Sequence, residues 1–216
     1  LFKVTKDQIL EMLRKGFYGL FFILLFVTIY LVFSAPYDNQ HNEYTLLLYL
    51  HAPIAWTGIN LYILNGLNTL VNLFYANNIS IKLTKTLSFP SLVFLCLTLF
   101  TGSVWGSNSW GSYWVWDARL TSVLVLFVFY VIKNIILYID RDDKSNFKLE
   151  LLNILSLTII PIILFSVNIW NTVHQGSSMQ SNSIAYEILT PIKFAVLFFN
   201  LYAAIICYKR YEKLNV

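Results

Sequence analysis

The sequence predicts an all-α, polytopic membrane protein with six transmembrane helices and both termini on the cytoplasmic or matrix side. Three observations carry this. Of the 216 residues, 57% are hydrophobic and only 12% charged, with a mean hydropathy of +0.63, whereas water-soluble chains run at about 25% charged. Six predominantly apolar runs are long enough to cross a hydrocarbon core of roughly 30 Å as helices. Lys and Arg gather in alternate connections between those runs.

The first run covers residues 17–33. Its basic flank is like that of a signal peptide, but Phe33 fits poorly before a small-residue cleavage site ending at Ala35, so it reads as an uncleaved span. The second, 46–74, is longer than a bilayer requires and has Pro53 near its start, which predicts a kink or a helical extension above the membrane. The others cover 87–104, 120–137, 149–169 and 188–207. With no repeat of 20 to 50 residues, the chain reads as a single membrane domain over 1–216.

Orientation follows from the basic residues. Lys3, Lys6, Arg14 and Lys15 precede the first run, Lys82 and Lys85 separate the second from the third, and Lys209, Arg210 and Lys213 form the tail. Lys133, Arg141, Lys144 and Lys148 lie around the fourth-to-fifth connection. The remaining connections, 34–45, 105–119 and 170–187, hold one basic residue between them, Arg119. Positive segments stay inside, so these three connections face out.

Several function classes are excluded. Cys96 and Cys207 sit in apolar runs, so there is no disulfide framework and no CxxC motif. The net charge of +4 is scattered and does not form a nucleic-acid face. No GxxxxGK[ST] loop occurs, so ATP is not bound through a P-loop. No Asp or Glu is expected inside a span, which argues against a small-molecule permease.

The outward segments hold the residues suited to ligand chemistry. Trp105, Trp110, Trp114 and Trp116 fall within twelve residues, interleaved with Gly106, Gly111 and serines. Such a cluster reads either as an interfacial aromatic belt or as a platform for a large planar ligand, with the glycines letting the backbone fold close. Asp117 is placed to cap the fourth span. Arg119, in its first turn, opposes the helix dipole and calls for an anionic partner, either Asp117, a lipid phosphate or a ligand carboxylate.

His51, before Ala52 and Pro53, and His174, within Asn171-Thr172-Val173-His174-Gln175-Gly176-Ser177, share the outward side. Two neutral imidazoles beside an aromatic platform suit the two axial positions of a heme iron better than zinc, which takes three or four ligands. His41, beside Asn42 and Glu43, reads as solvated. Asn65, Asn68 and Asn72 make a stripe at helical spacing, a polar path or a set of interhelical hydrogen bonds. Lys193 is expected to snorkel outward.

The segment WGSYWVWDARLTS at 110–122 resembles the tryptophan-rich signature of the heme-handling proteins of cytochrome c maturation. Within that superfamily nearly the whole chain resembles the heme exporter protein C (CcmC) family, through its six spans, the histidine before Ala52-Pro53, the signature after span three and the segment around His174. Departures are Tyr113, where many members have Trp, and Ser107-Asn108, where many have Lys-Pro.

The resemblance implies a non-enzymatic membrane heme chaperone. Heme b would sit at the outer face on His51 and His174 as axial ligands, against Trp105, Trp110, Trp114, Trp116, Asp117 and Arg119. It would pass to a periplasmic-side heme chaperone of the CcmE type, in company with the ABC transporter subunits CcmA and CcmB and the small membrane protein CcmD. The membrane would be a bacterial inner membrane or a mitochondrial inner membrane. A heme lyase of the same superfamily would be a longer chain with large outer domains. A b-type relay cytochrome would set its histidines at two depths.

Overall fold

The computed structural model describes residues 6–37, 42–75, 78–139, 146–170, 172–174 and 186–214. Six long helices account for nearly all of them: α1 (Lys6–Ser34), α2 (Thr45–Phe74), α3 (Asn78–Ser109), α4 (Ala118–Ile139), α5 (Asn146–Ile169) and α6 (Tyr186–Lys213). A 3₁₀ turn at Asn42–Tyr44 leads into α2. Every helix is long and apolar enough to span a membrane, so the protein is a polytopic all-α membrane protein.

The helices overrun the predicted spans. α1 and α3 begin in the basic segments, at Lys6 and Asn78; α1 runs through Gly16 without a break, and no Gly or Pro precedes Leu87 in α3. α2 runs unbroken through Pro53. α3 continues to Ser109, and the Trp110 N–H still bonds the Gly106 carbonyl at 3.0 Å. The outward loop predicted at 105–119 is therefore shorter, at 110–117, since Trp105 and Gly106 keep helical backbone bonding.

The helices form a ring of α2, α3, α4 and α5, with α6 laid against α2 and α3 and α1 packed mainly on α6. The core holds Tyr62, Phe94, Leu95, Leu126 and Tyr130, with Tyr62 and Tyr130 rings 5.3 Å apart. α5 packs against α2 at Gly66, where an added Cβ would fall 2.1 Å from Leu157 Cγ. Large apolar side chains such as Phe22, Phe26, Leu67 and Phe165 point outward, as a lipid solvent permits.

Pro90 cannot donate to the carbonyl four residues earlier, that of Thr86. The Arg210 Nε supplies the missing donor at 3.3 Å, tying α6 to α3 at the basic end of the bundle. At that same end Lys82 lies over the Tyr211 ring at 3.9 Å and Lys209 over Tyr18 at 5.5 Å.

Two expectations need correction. Lys133, grouped in the sequence with the basic fourth-to-fifth connection, is buried inside α4 at 1% exposure. Its Nζ donates to Asn65 Oδ1 at 3.0 Å and Asn153 Oδ1 at 2.5 Å. Those amides accept it because hydrocarbon offers no water, and the span continues past it to Ile139. A carboxylate also occurs within a helix: Glu150, near the start of α5, accepts a hydrogen bond from Asn72.

The asparagine stripe is thus an interhelical network. Asn65 Nδ2 donates to Ser91 at 3.0 Å, Asn68 to Thr84 at 2.9 Å, and Asn153 to Thr69 at 2.7 Å. It joins α2, α3, α4 and α5 in the half of the bundle away from the histidines. Lys193 is exposed on α6.

Candidate functional site

The opposite end of the ring opens into a cavity of about 680 Å³, inside the range of ligand pockets. Its wall includes His51, Trp56, Trp105, Trp110, Trp114, Arg119 and His174, and Tyr62 and Leu126 contribute to it from the buried core.

His51 reaches the cavity from α2, and its Nδ1 lies 2.9 Å from Thr101 Oγ1 of α3. The next residue, Gly102, leaves room for the ring, since a Cβ there would sit 2.9 Å from His51 Cε1. At the end of α3 the Trp110 indole folds back over Gly106, where a Cβ would come within 2.4 Å of Cζ2. Gly111 then turns the chain at φ +77°, a left-handed conformation that favours glycine. Ser112 Oγ donates to the Trp114 carbonyl at 2.8 Å, and the Trp114 and Trp116 rings meet edge to face at 5.5 Å.

Asp117 closes this loop with both carboxylate oxygens engaged. Oδ1 accepts the Leu120 N–H at 2.7 Å and so caps α4. Oδ2 lies 3.3 Å from His174 Nδ1. A carboxylate only accepts, so the hydrogen rests on Nδ1 and the Nε2 lone pair is left for a ligand. The Trp110 ring packs on His174 with centroids 5.3 Å apart. Burial holds the His174 pKa below its ordinary value near 6.5, and the Arg119 charge adds to this while Asp117 opposes it. Arg119 Nε bonds the Ile163 carbonyl of α5 at 3.1 Å, which fixes its guanidinium in the cavity wall.

His51, His174, Trp105, Trp110, Trp114 and Arg119 therefore share one cavity. Trp116 does not line it and is 75% exposed. Asp117 is buried, does not line the cavity and contacts the His174 ring that does. His41, residue 171 and residues 175–177 lie outside the described residues. Trp56, Thr101 and Ser109 were not singled out from the sequence. Trp56 alone had a signal there, as a tryptophan within a span shortly after His51.

The donor set fits a large planar anion carrying a metal. Ser109 Oγ, Trp110 Nε1 and Trp114 Nε1 are buried with no hydrogen-bond partner among the described residues. No group of three or more His, Cys, Asp or Glu able to hold a bare metal ion occurs among them. Two imidazoles with their Nδ1 atoms engaged suit axial ligation of a metal already held in a macrocycle.

The family model for heme exporter protein C matches residues 4–215. A ccmC-like mitochondrial protein of cytochrome c biosynthesis from Marchantia polymorpha is 38% identical over 189 residues, covering 84% of this chain and 79% of its own. Heme exporter protein C of Escherichia coli (strain K12) is 33% identical over 182 residues, covering 83% and 74%. That of Bradyrhizobium diazoefficiens is 32% identical over 191 residues, covering 84% and 73%. The fold and site are those of an integral membrane protein with a ligand cavity at one end of its bundle. The chain belongs to the heme exporter protein C family.

Proposed function

We propose that this chain is a membrane heme chaperone of c-type cytochrome biogenesis. It binds heme b at its outer face between His51 and His174 and passes it to a periplasmic-side chaperone of the CcmE type. The carrying observation is that both imidazoles line one cavity with Nδ1 engaged, at 2.9 Å by Thr101 and at 3.3 Å by Asp117. The relatives' names supply the heme and the cytochrome c context.

The residues divide the work. His51 and His174 hold the iron, Trp110 and Trp114 pack on the macrocycle and exclude water, and Arg119 faces a propionate. Heme is cargo here, so binding must be reversible, and loss of one histidine to the acceptor's ligand releases it. CcmA, CcmB and CcmD are the expected companions, with ATP hydrolysed by the transporter subunits. The basic ends of the helices face the cytoplasm or matrix, which sets the cavity on the periplasmic or intermembrane side.

The test is transfer. The purified full chain should carry heme with a six-coordinate low-spin spectrum and lose it to the soluble domain of a CcmE-type chaperone. A chain that takes up no heme, or gives none to that domain when it is mixed with CcmA, CcmB and CcmD, contradicts the proposal.

A further inference from the structure

We infer that Thr101 is a positioning residue that sets the tautomer of His51 and so decides which ring nitrogen can bind iron. Its role toward iron rests on the heme reading above. The tautomer itself does not.

Thr101 is buried on α3 at 5% exposure. Its hydroxyl has one hydrogen, and the Leu97 carbonyl four residues earlier takes it at 2.7 Å. The oxygen that faces His51 Nδ1 at 2.9 Å can then only accept. Nδ1 must carry the ring hydrogen, which leaves the lone pair on Nε2, and Nε2 has no hydrogen-bond partner among the described residues.

Gly102 completes the device. A Cβ would meet Cε1 at 2.9 Å, so the ring settles against the bare backbone beside Thr101. Consecutive residues of α3 thereby set the proton and the ring position of a histidine on α2. His174 reaches the same state by a different route, through the Asp117 carboxylate. The paired arrangement leaves each histidine with its Nε2 lone pair for a metal.

The experiment uses the full chain in lipid nanodiscs with ¹⁵N-labelled histidine, the His51 signals being assigned by their loss in His51→Ala. In the heme-free protein, wild type and Thr101→Ser should show His51 protonated at Nδ1. Thr101→Val, which keeps the shape and removes the acceptor, should populate the Nε2–H form. Titrated with hemin, Thr101→Val should bind about tenfold more weakly than Thr101→Ser, with a smaller six-coordinate low-spin fraction.

Wild-type His51 protonated at Nε2 overturns the proposal whether or not any variant folds. So does a Thr101→Val protein with an unchanged tautomer, or with unchanged hemin binding despite a changed tautomer. If His51→Ala binds hemin with the wild-type spectrum, the ligand reading fails, and the tautomer measurement alone still reports on the Thr101 contact.

Discussion

Asp117 holds His174 and the start of α4 with the same carboxylate, one oxygen 3.3 Å from the imidazole Nδ1 and the other 2.7 Å from the Leu120 N–H. Helix capping and the orientation of the His174 ring are therefore coupled at one residue, and substitutions can separate them. Asparagine also caps helices well but presents a single acceptor oxygen. Asp117→Asn should keep most of the thermal stability and lose heme retention. Asp117→Ala should lose both, with about 1 kcal/mol of stability gone with the cap. Thermal unfolding in detergent, read beside the heme absorption, distinguishes the two; equal heme retention in Asp117→Asn and wild type contradicts the coupling.

The His174 proton obeys a definite sign. Its pKa is lowered in the folded chain by burial first and the Arg119 charge second, and raised by Asp117. Below about pH 6.5 an unfolded histidine takes a proton that the folded one resists. The residue thus destabilises the fold as pH falls through that value and is neutral in its effect above it. In heme-free protein the His174 NMR midpoint should lie below that of a free histidine. Arg119→Gln should raise it and Asp117→Asn should lower it further; the reverse order contradicts the assignment.

Gly66 sets the spacing of α2 and α5, since any Cβ there overlaps the Leu157 side chain. Gly66→Ala should cost about 1–3 kcal/mol by overpacking. Leu157→Ala in the same chain should recover part of that loss by making room. A double variant no more stable than Gly66→Ala contradicts the contact.

Lys133 links Asn65 and Asn153 in the half of the bundle opposite the cavity. Lys133→Met fills similar volume but strands two buried amide oxygens, at about 1–3 kcal/mol each at most. Accumulation in membranes should fall, while hemin bound to the surviving protein should keep its wild-type spectrum. An altered spectrum with normal accumulation would mean that the network acts on the site.

Much of this was legible in the sequence, and what was not has physical causes. The six spans are plain because hydrocarbon demands unbroken apolar length. Their ends are not, since α1 and α3 run on into basic segments that form helix as readily as loop. His51 and His174 could be matched because both fall on the side without lysine. Lys133 was misread because its partners, Asn65 and Asn153, lie 68 and 20 residues away and a basic residue near a span end looks like a flank. Thr101 gave no signal, as a hydroxyl in an apolar helix usually bonds its own backbone. It does that here too, toward Leu97, and only the approach of His51 reveals the second role. Trp116, one of the signature's tryptophans, is not distinguished from Trp114 by sequence, yet Trp114 lines the cavity and Trp116 stays exposed outside it.

The most direct measurement is the absorption spectrum of hemin bound to the purified chain with His51 and His174 replaced singly and together. Each single change to Ala should leave a weaker, five-coordinate heme that added imidazole partly restores, because a free ligand can occupy the vacated axial position. The double change should abolish binding, and His41→Ala should alter nothing. A double variant that purifies with heme in the wild-type spectrum would contradict the account, as would a change of coordination caused by His41→Ala and not by His174→Ala.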